Sequence, residues 1–172
     1  MSTNKNFLGM PVSGDIIEGS TRVEQKPIEE LAPLFQALVD DPTIVEFGWT
    51  QYTPYFNDGD TCDFSVNALW VMTTEDVEWS ESGDFDHYLL EVEYDHRSLG
   101  KVKKHWEGEW PDRELVIDGY EGPDEDRYNR CQDLDGALQS GAFETVLLDT
   151  FGDHAMVTVR KNGIEVEQYS HD

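Results

Sequence analysis

The sequence predicts an α+β fold: one domain over residues 1–172, in which an antiparallel sheet of about seven strands packs against two helices. Three observations carry this expectation. The stretch 43–72 holds two runs of period-two apolar alternation, separated by Asn57-Asp58-Gly59-Asp60. The segments 27–40 and 126–139 place apolar residues at three- and four-residue spacing. The C-terminal third contains three short β-rich runs broken by turn residues.

Residues 1–26 show no sustained periodicity, because Gly9, Pro11, Gly14 and Gly19 interrupt it. They read as an irregular arm in which Ile16, Ile17 and Val23 offer at most an edge strand. Segment 27–40 is a helix: Ile28, Leu31, Leu34, Phe35, Leu38 and Val39 form one stripe, and Glu29 and Glu30 suit the positive end of the helix dipole. Pro33 moves its regular start to near Ala32. In 43–72, Val45, Phe47 and Trp49 alternate with Glu46, Gly48 and Thr50, and Phe64, Val66 and Ala68 alternate with Asp63, Ser65 and Asn67. Asp-Gly between such runs is a hairpin signal, since glycine takes the positive φ that tight turns need.

From Thr73 to Asp95 there are nine acids and no Lys or Arg, a pattern that reads as a solvated face or loop. Its tail, 87–95, alternates Tyr88, Leu90, Val92 and Tyr94 and reads as a strand. Lys101, Lys103 and Lys104 would then face Glu91 and Glu93 across strands. Trp106 and Trp110 bracket Glu107-Gly108-Glu109, Pro111 closes the run, 114–118 is a short strand and 119–126 a loop. The helix over 126–139 buries Tyr128, Cys131, Leu134 and Leu138. Segments 143–150, 155–160 and 164–169 form a three-stranded antiparallel meander, with Asn162-Gly163 as its second turn. A helix leads into a hairpin in both halves, but identity between them is too low to indicate duplication.

The formal charge is −25, from 37 acids against 12 Lys and Arg. Such a chain is repelled by phosphate backbones and anionic membranes, so the charge argues against membrane-surface binding and against direct nucleic-acid binding without a bridging metal. A basic protein surface, including that of a nucleic-acid-binding protein, is the natural partner. Five tryptophans and 12% aromatics argue for an ordered core rather than a disordered acidic tail. Cys62 and Cys131 lack metal-type spacing and read as reduced thiols, and the N-terminus lacks the apolar run of a signal peptide. The expected setting is the cytoplasm.

No glycine-rich phosphate loop, calcium loop or nucleophile elbow is present, and no cofactor or metal is expected. His87, His96 and His105 recur every nine residues and would bind zinc only if neighbouring strands brought them together; separate surface positions are the commoner outcome.

The leading expectation is a non-enzymatic acidic binding protein, in its concrete form a nucleic-acid mimic that blocks a basic groove. Its partner-binding residues would be Glu75, Asp76, Glu78, Glu81, Asp84 and Asp86, with Asp124, Glu125 and Asp126 as a second cluster. The alternative is an enzyme, or a small-ligand or divalent-metal site, at the hairpin tip, lined by Tyr52, Tyr55, Asn57, Asp58 and Asp60. Charge crowding further predicts greater stability near pH 5–6 than at pH 8 in low salt.

Two stretches, QYTPYFNDGDTCDFSV (51–66) and GDHAMVTVRKNGIEVEQYSHD (152–172), resemble segments of small acidic uncharacterised proteins of tailed bacteriophages and their hosts. Together they cover about a fifth of the chain. The resemblance implies an accessory protein that binds and blocks a host factor, acting in the host cytoplasm. It assigns no residue a role.

Overall fold

The computed structural model describes residues 5–16, 24–54, 63–81, 86–93 and 95–170. The N-terminal segment supplies two strands, β1 (Lys5–Phe7) and β2 (Met10–Gly14), joined by a turn with positive φ at Leu8 and Gly9. A 3₁₀ turn (Ile28–Glu30) precedes α1 (Ala32–Val39), so Pro33 lies within the first helical turn, where its missing N–H costs nothing. Then come β3 (Ile44–Tyr52), β4 (Ser65–Val66), β5 (Trp70–Thr73), α2 (Val77–Ser80) and a second 3₁₀ turn (His87–Leu90). β6 (Lys101–Glu107) and β7 (Glu114–Glu121) follow, then α3 (Glu125–Gln139), α4 (Glu144–Phe151), β8 (Ala155–Arg160) and β9 (Gly163–Gln168).

The α+β class holds. Seven strands form one sheet in the order β1-β2-β9-β8-β3-β4, with β5 also pairing along β3. β3 is its axis: β8 runs antiparallel along one side, and β5 and β4 follow each other along the other. The expected hairpin is therefore present. A register shift between Ile44 and Glu46 turns Ile44 inward and leaves Val45 exposed, while Phe47 and Trp49 stay buried as the alternation requires. At Gly48 a Cβ would lie 2.1 Å from the Val157 carbonyl and 2.7 Å from the Trp70 ring, so the close approach demands glycine.

Four expectations need correction. The sheet is mixed, not purely antiparallel, because β2 pairs parallel with β9. The supposedly irregular N-terminal arm thus contributes two strands; the proposed strand residues Ile17 and Val23 lie outside the described residues. Segment 143–150 is the helix α4, not a strand: Phe143, Leu147, Leu148 and Phe151 are buried at helical spacing, which outweighs the local β preference of Phe, Val and Thr. In the 87–95 stretch His87–Leu90 is a 3₁₀ turn, not a strand, and Glu91 makes an isolated bridge to Trp70; Tyr94 lies outside the described residues. The lysines consequently do not face Glu91 and Glu93. β6 pairs with β7, and Lys103 Nζ sits 3.3 Å from Glu121.

The core lies between one face of the sheet and α1, α3 and α4. A chain of edge-on aromatic contacts runs Phe47–Phe35–Phe7–Phe151–Trp49, with ring centroids 5.1–5.6 Å apart. Leu31, Phe35 and Leu38 from α1, and Cys131, Leu134 and Leu138 from α3, bury the predicted stripes. Burial pushes the Cys131 thiol up to about 12, so it is an inert core group; Cys62 lies outside the described residues. Buried polar clamps fix the elements. Trp49 Nε1 donates to Gln51 Oε1 at 2.9 Å, and Gln51 Nε2 donates to the Leu147 and Gly152 carbonyls at 3.0 and 2.7 Å, tying β3 to the end of α4. Lys161 donates to the Val39 and Asp41 carbonyls and so caps the C-terminus of α1. Among the described residues, no helix is long and apolar enough to cross a membrane.

Candidate interaction surface

A groove of about 570 Å³ opens beside the second 3₁₀ turn. Trp79, Leu89, Asp95, Arg97, Lys101 and Pro123 form most of its lining. Beneath it lies a buried polar knot built at the end of β5. Asp76 accepts hydrogen bonds from Thr73 N (2.9 Å), Ser98 Oγ (2.7 Å) and Arg97 Nη1 (2.9 Å). The Arg97 guanidinium lies over the Trp79 ring, 4.8 Å from its centroid. His96 Nδ1 accepts from the backbone N–H groups of Ser98 and Leu99, both at 3.1 Å. The proton therefore sits on Nε2, which donates to the Val71 carbonyl at 2.7 Å. Burial pulls the His96 imidazole below its ordinary value and keeps it neutral.

Ser98, His96 and Asp76 are the residue types of a nucleophilic triad, in the wrong order. Ser98 Oγ lies 3.3 Å from His96 Nδ1 but gives its proton to Asp76 at 2.7 Å, and His96 Nδ1 is already taken by two backbone amides. Ser98 is also 2% exposed. An activated serine needs its proton taken by histidine and its oxygen open to substrate. The knot is structural.

The predicted partner-binding residues divide accordingly. Asp76 is fully buried and held by donors from three residues, so it is not available to a partner. Asp84 lies outside the described residues. Glu75, Glu78, Glu81, Asp86, Asp124, Glu125 and Asp126 are all exposed. None of these seven carboxylates forms an ion pair among the described residues. Asp86 and Asp124 also cap helical turns, accepting from Tyr88 N and Arg127 N. None of the seven lines the groove itself, but each cluster is next in sequence to it. Its lining residue Trp79 lies between Glu78 and Glu81, and its lining residue Pro123 directly precedes Asp124.

Of the alternative tip site, only Tyr52 is described. It stacks on Tyr169 with centroids 5.6 Å apart. Tyr55, Asn57, Asp58 and Asp60 lie outside the described residues. The three evenly spaced histidines are not brought together. His87 packs on Trp70 at 4.1 Å, His96 is in the knot, and His105 sits on β6 between Asp118 and Glu107. Among the described residues, no group of three or more His, Cys, Asp or Glu side chains is placed to hold a metal ion.

Two features of this surface escaped the sequence reading. One is Arg97, a cation on the groove wall whose pairing with Asp76 depends on a contact 21 residues away along the chain. The other is the β6–β7 ribbon, a two-stranded sheet that pairs with no other strand among the described residues. Trp106 and Trp110 marked it in the sequence, but their exposure depends on the ribbon standing clear of the core. No protein-family model, curated protein or solved structure matches this chain.

Proposed function

We propose that this chain is a non-enzymatic acidic binding protein that presents the groove and its two carboxylate clusters to a basic protein. The observation that supports this reading is the set of seven exposed carboxylates, without ion-pair partners among the described residues, on an ordered scaffold where Glu78 and Asp124 directly neighbour the groove-lining Trp79 and Pro123 in sequence. Held apart by folded elements, these charges form a fixed field rather than a diffuse tail, and a fixed field steers and selects an oppositely charged partner. In its concrete form the protein acts in the cytoplasm as a nucleic-acid mimic. It occupies the phosphate-binding groove of a nucleic-acid-handling or defence protein, as a phage-type inhibitor would.

The test is capture of partners on the immobilised protein at about 0.05 M salt, followed by elution with duplex DNA, with RNA, or with about 0.5 M salt. A basic protein released by nucleic acid and by salt is the expected result. It should not be retained by a variant with Glu75, Glu78, Glu81 and Glu125 changed to Gln and Asp86, Asp124 and Asp126 changed to Asn. Empty capture at low salt, or capture indifferent to these changes, overturns the proposal.

A further inference from the structure

We infer that the tip of the β6–β7 ribbon is an aromatic anchor that inserts into an apolar pocket rimmed by Lys or Arg on a basic partner protein. This rests on the reading of the chain as a binder of a basic protein and adds a second contact to it.

The ribbon exposes an unusual amount of apolar surface. Trp106 is 56% exposed, Trp110 83%, Leu115 44% and Ile117 60%. These are four of the seven exposed large hydrophobic residues among those described. Register places three of them together: Trp106 is opposite Leu115, and Ile117 is opposite Lys104, two residues from Trp106 on the same strand. Alternation puts all of these on one face of the ribbon. A contiguous apolar face on a projecting element marks an interaction site more often than an accident of folding. Tryptophan also dominates binding energetics, because it buries a large rigid area at little entropic cost.

The ribbon is held rigidly at its base. Tyr120 donates its hydroxyl to the Leu99 carbonyl and packs against Tyr128 with centroids 5.1 Å apart. A Cβ at Gly122 would lie 2.2 Å from that hydroxyl, so the turn beside it admits only glycine. A two-stranded ribbon alone is marginal in water, and this anchorage fixes its direction before any partner arrives.

Charge identifies the occupant. Between residues 107 and 114 the tip carries Glu107, Glu109, Asp112 and Glu114 against Arg113 alone. Arg113 is itself stacked on Trp106, 4.4 Å from the ring centroid. The tip is thus aromatic and net acidic. Nucleic acid and anionic lipid are repelled by it and by the chain's −25 charge, and so is a second copy of the same chain. A protein pocket that is apolar inside and basic at its rim satisfies both halves of the surface.

The test uses two synthetic peptides of equal length and charge, one of lysine and leucine and one of lysine and serine, titrated into the full chain by calorimetry in low salt. The wild type is expected to bind the lysine–leucine peptide about tenfold more tightly. W106S/W110S and, separately, L115T/I117T should reduce that affinity to the lysine–serine level with unchanged circular dichroism. If both folded variants bind the lysine–leucine peptide as the wild type does, the anchor is wrong, while salt-dependent binding of both peptides would leave the acidic-binder reading standing. If neither peptide binds the wild type, both readings fall. Tryptophan-dependent self-association in sedimentation, or tryptophan-dependent binding to duplex DNA or anionic vesicles, also overturns the anchor's assignment to a basic protein.

Discussion

Asp76 and Glu78 are two residues apart in one acidic run, yet the fold gives them opposite tasks. Asp76 turns inward to take hydrogen bonds from Thr73, Ser98 and Arg97, while Glu78 stays in water. The sequence marked the run as acidic, but the inward turn depends on Arg97 and Ser98 arriving from a later segment, which no local pattern shows. Replacing Asp76 by Ala leaves these buried donors without their acceptor and should cost about 3 kcal/mol, read from urea midpoints. Gln51 makes a comparable prediction. Gln51→Leu strands Trp49 Nε1 and two carbonyls and should cost about 2–4 kcal/mol, whereas a loss below ~0.5 kcal/mol would contradict the clamp. His96 sets a pH dependence whose sign follows from burial. Its folded pKa lies below the unfolded value of 6.5, so unfolding takes up a proton in the window beneath 6.5. The stability it contributes is complete above that pH and is lost as pH falls through the folded pKa. His96→Asn should be less stable at pH 7.5 but show a shallower decline between pH 6.5 and 5 in denaturant midpoints.

Helix spacing at 27–40 and 126–139 and alternation along β3 were legible because these elements bury their stripes in the main core, whereas β5 is buried on both faces, with Trp70 and Met72 in a second cluster with Leu90. Segment 143–150 was not, since its Val, Thr and Phe favour strands while its burial at Phe143, Leu147, Leu148 and Phe151 follows a helix. The pairing of β2 with β9 joins residues about 150 apart in sequence, and turn chemistry reports only on neighbours. For the ribbon, both strands were traceable, but not their isolation from the main sheet. Besides Lys103 and Glu121, the ribbon's polar contacts include His105, whose ring nitrogens lie 2.8 Å from Asp118 across the strands and 2.9 Å from Glu107 on its own strand. Hydrogen bonds to Asp118 and then Glu107 raise the His105 pKa above its ordinary 6.5. For a group raised on folding, the stabilisation is full below the unfolded pKa and is lost as pH rises through the folded one. Amide exchange at Val116 and Asp118 should therefore accelerate, beyond its intrinsic pH dependence, as His105 deprotonates. Exchange in His105→Gln should show no such step, and an identical profile in both proteins would remove the bridge from the account.

Across the whole molecule, the −25 charge acts on stability and on binding together. Burial raises the carboxyls of Glu91, Asp135 and Glu144, with Glu93 adding to the effect at Glu91 and Asp63 at Glu144. Carboxylates raised in this way weaken the fold at pH 8 and cease to do so as pH falls through their folded values. His87 and His96, both lowered by burial, act the other way below 6.5. The gain on acidification that crowding alone predicts is thus opposed below that pH. Asp135→Asn keeps an oxygen for the Leu69 N–H and Gln139 while removing the buried charge, so it should raise the melting temperature at pH 8 by a few degrees. Added salt of about 0.5 M at pH 8 should likewise raise the melting temperature of the wild type, because screening acts within the separations of surface charges. The proposal is that the exposed carboxylates of the two clusters form the face that binds a basic protein. Its most direct test is the slope of log affinity against log salt for the captured partner, compared between the wild type and the variant with these seven carboxylates neutralised. A steep loss of affinity with salt is expected for the wild type and a much flatter slope for the variant. Equal slopes in the two proteins, or a wild-type affinity indifferent to salt, would contradict it.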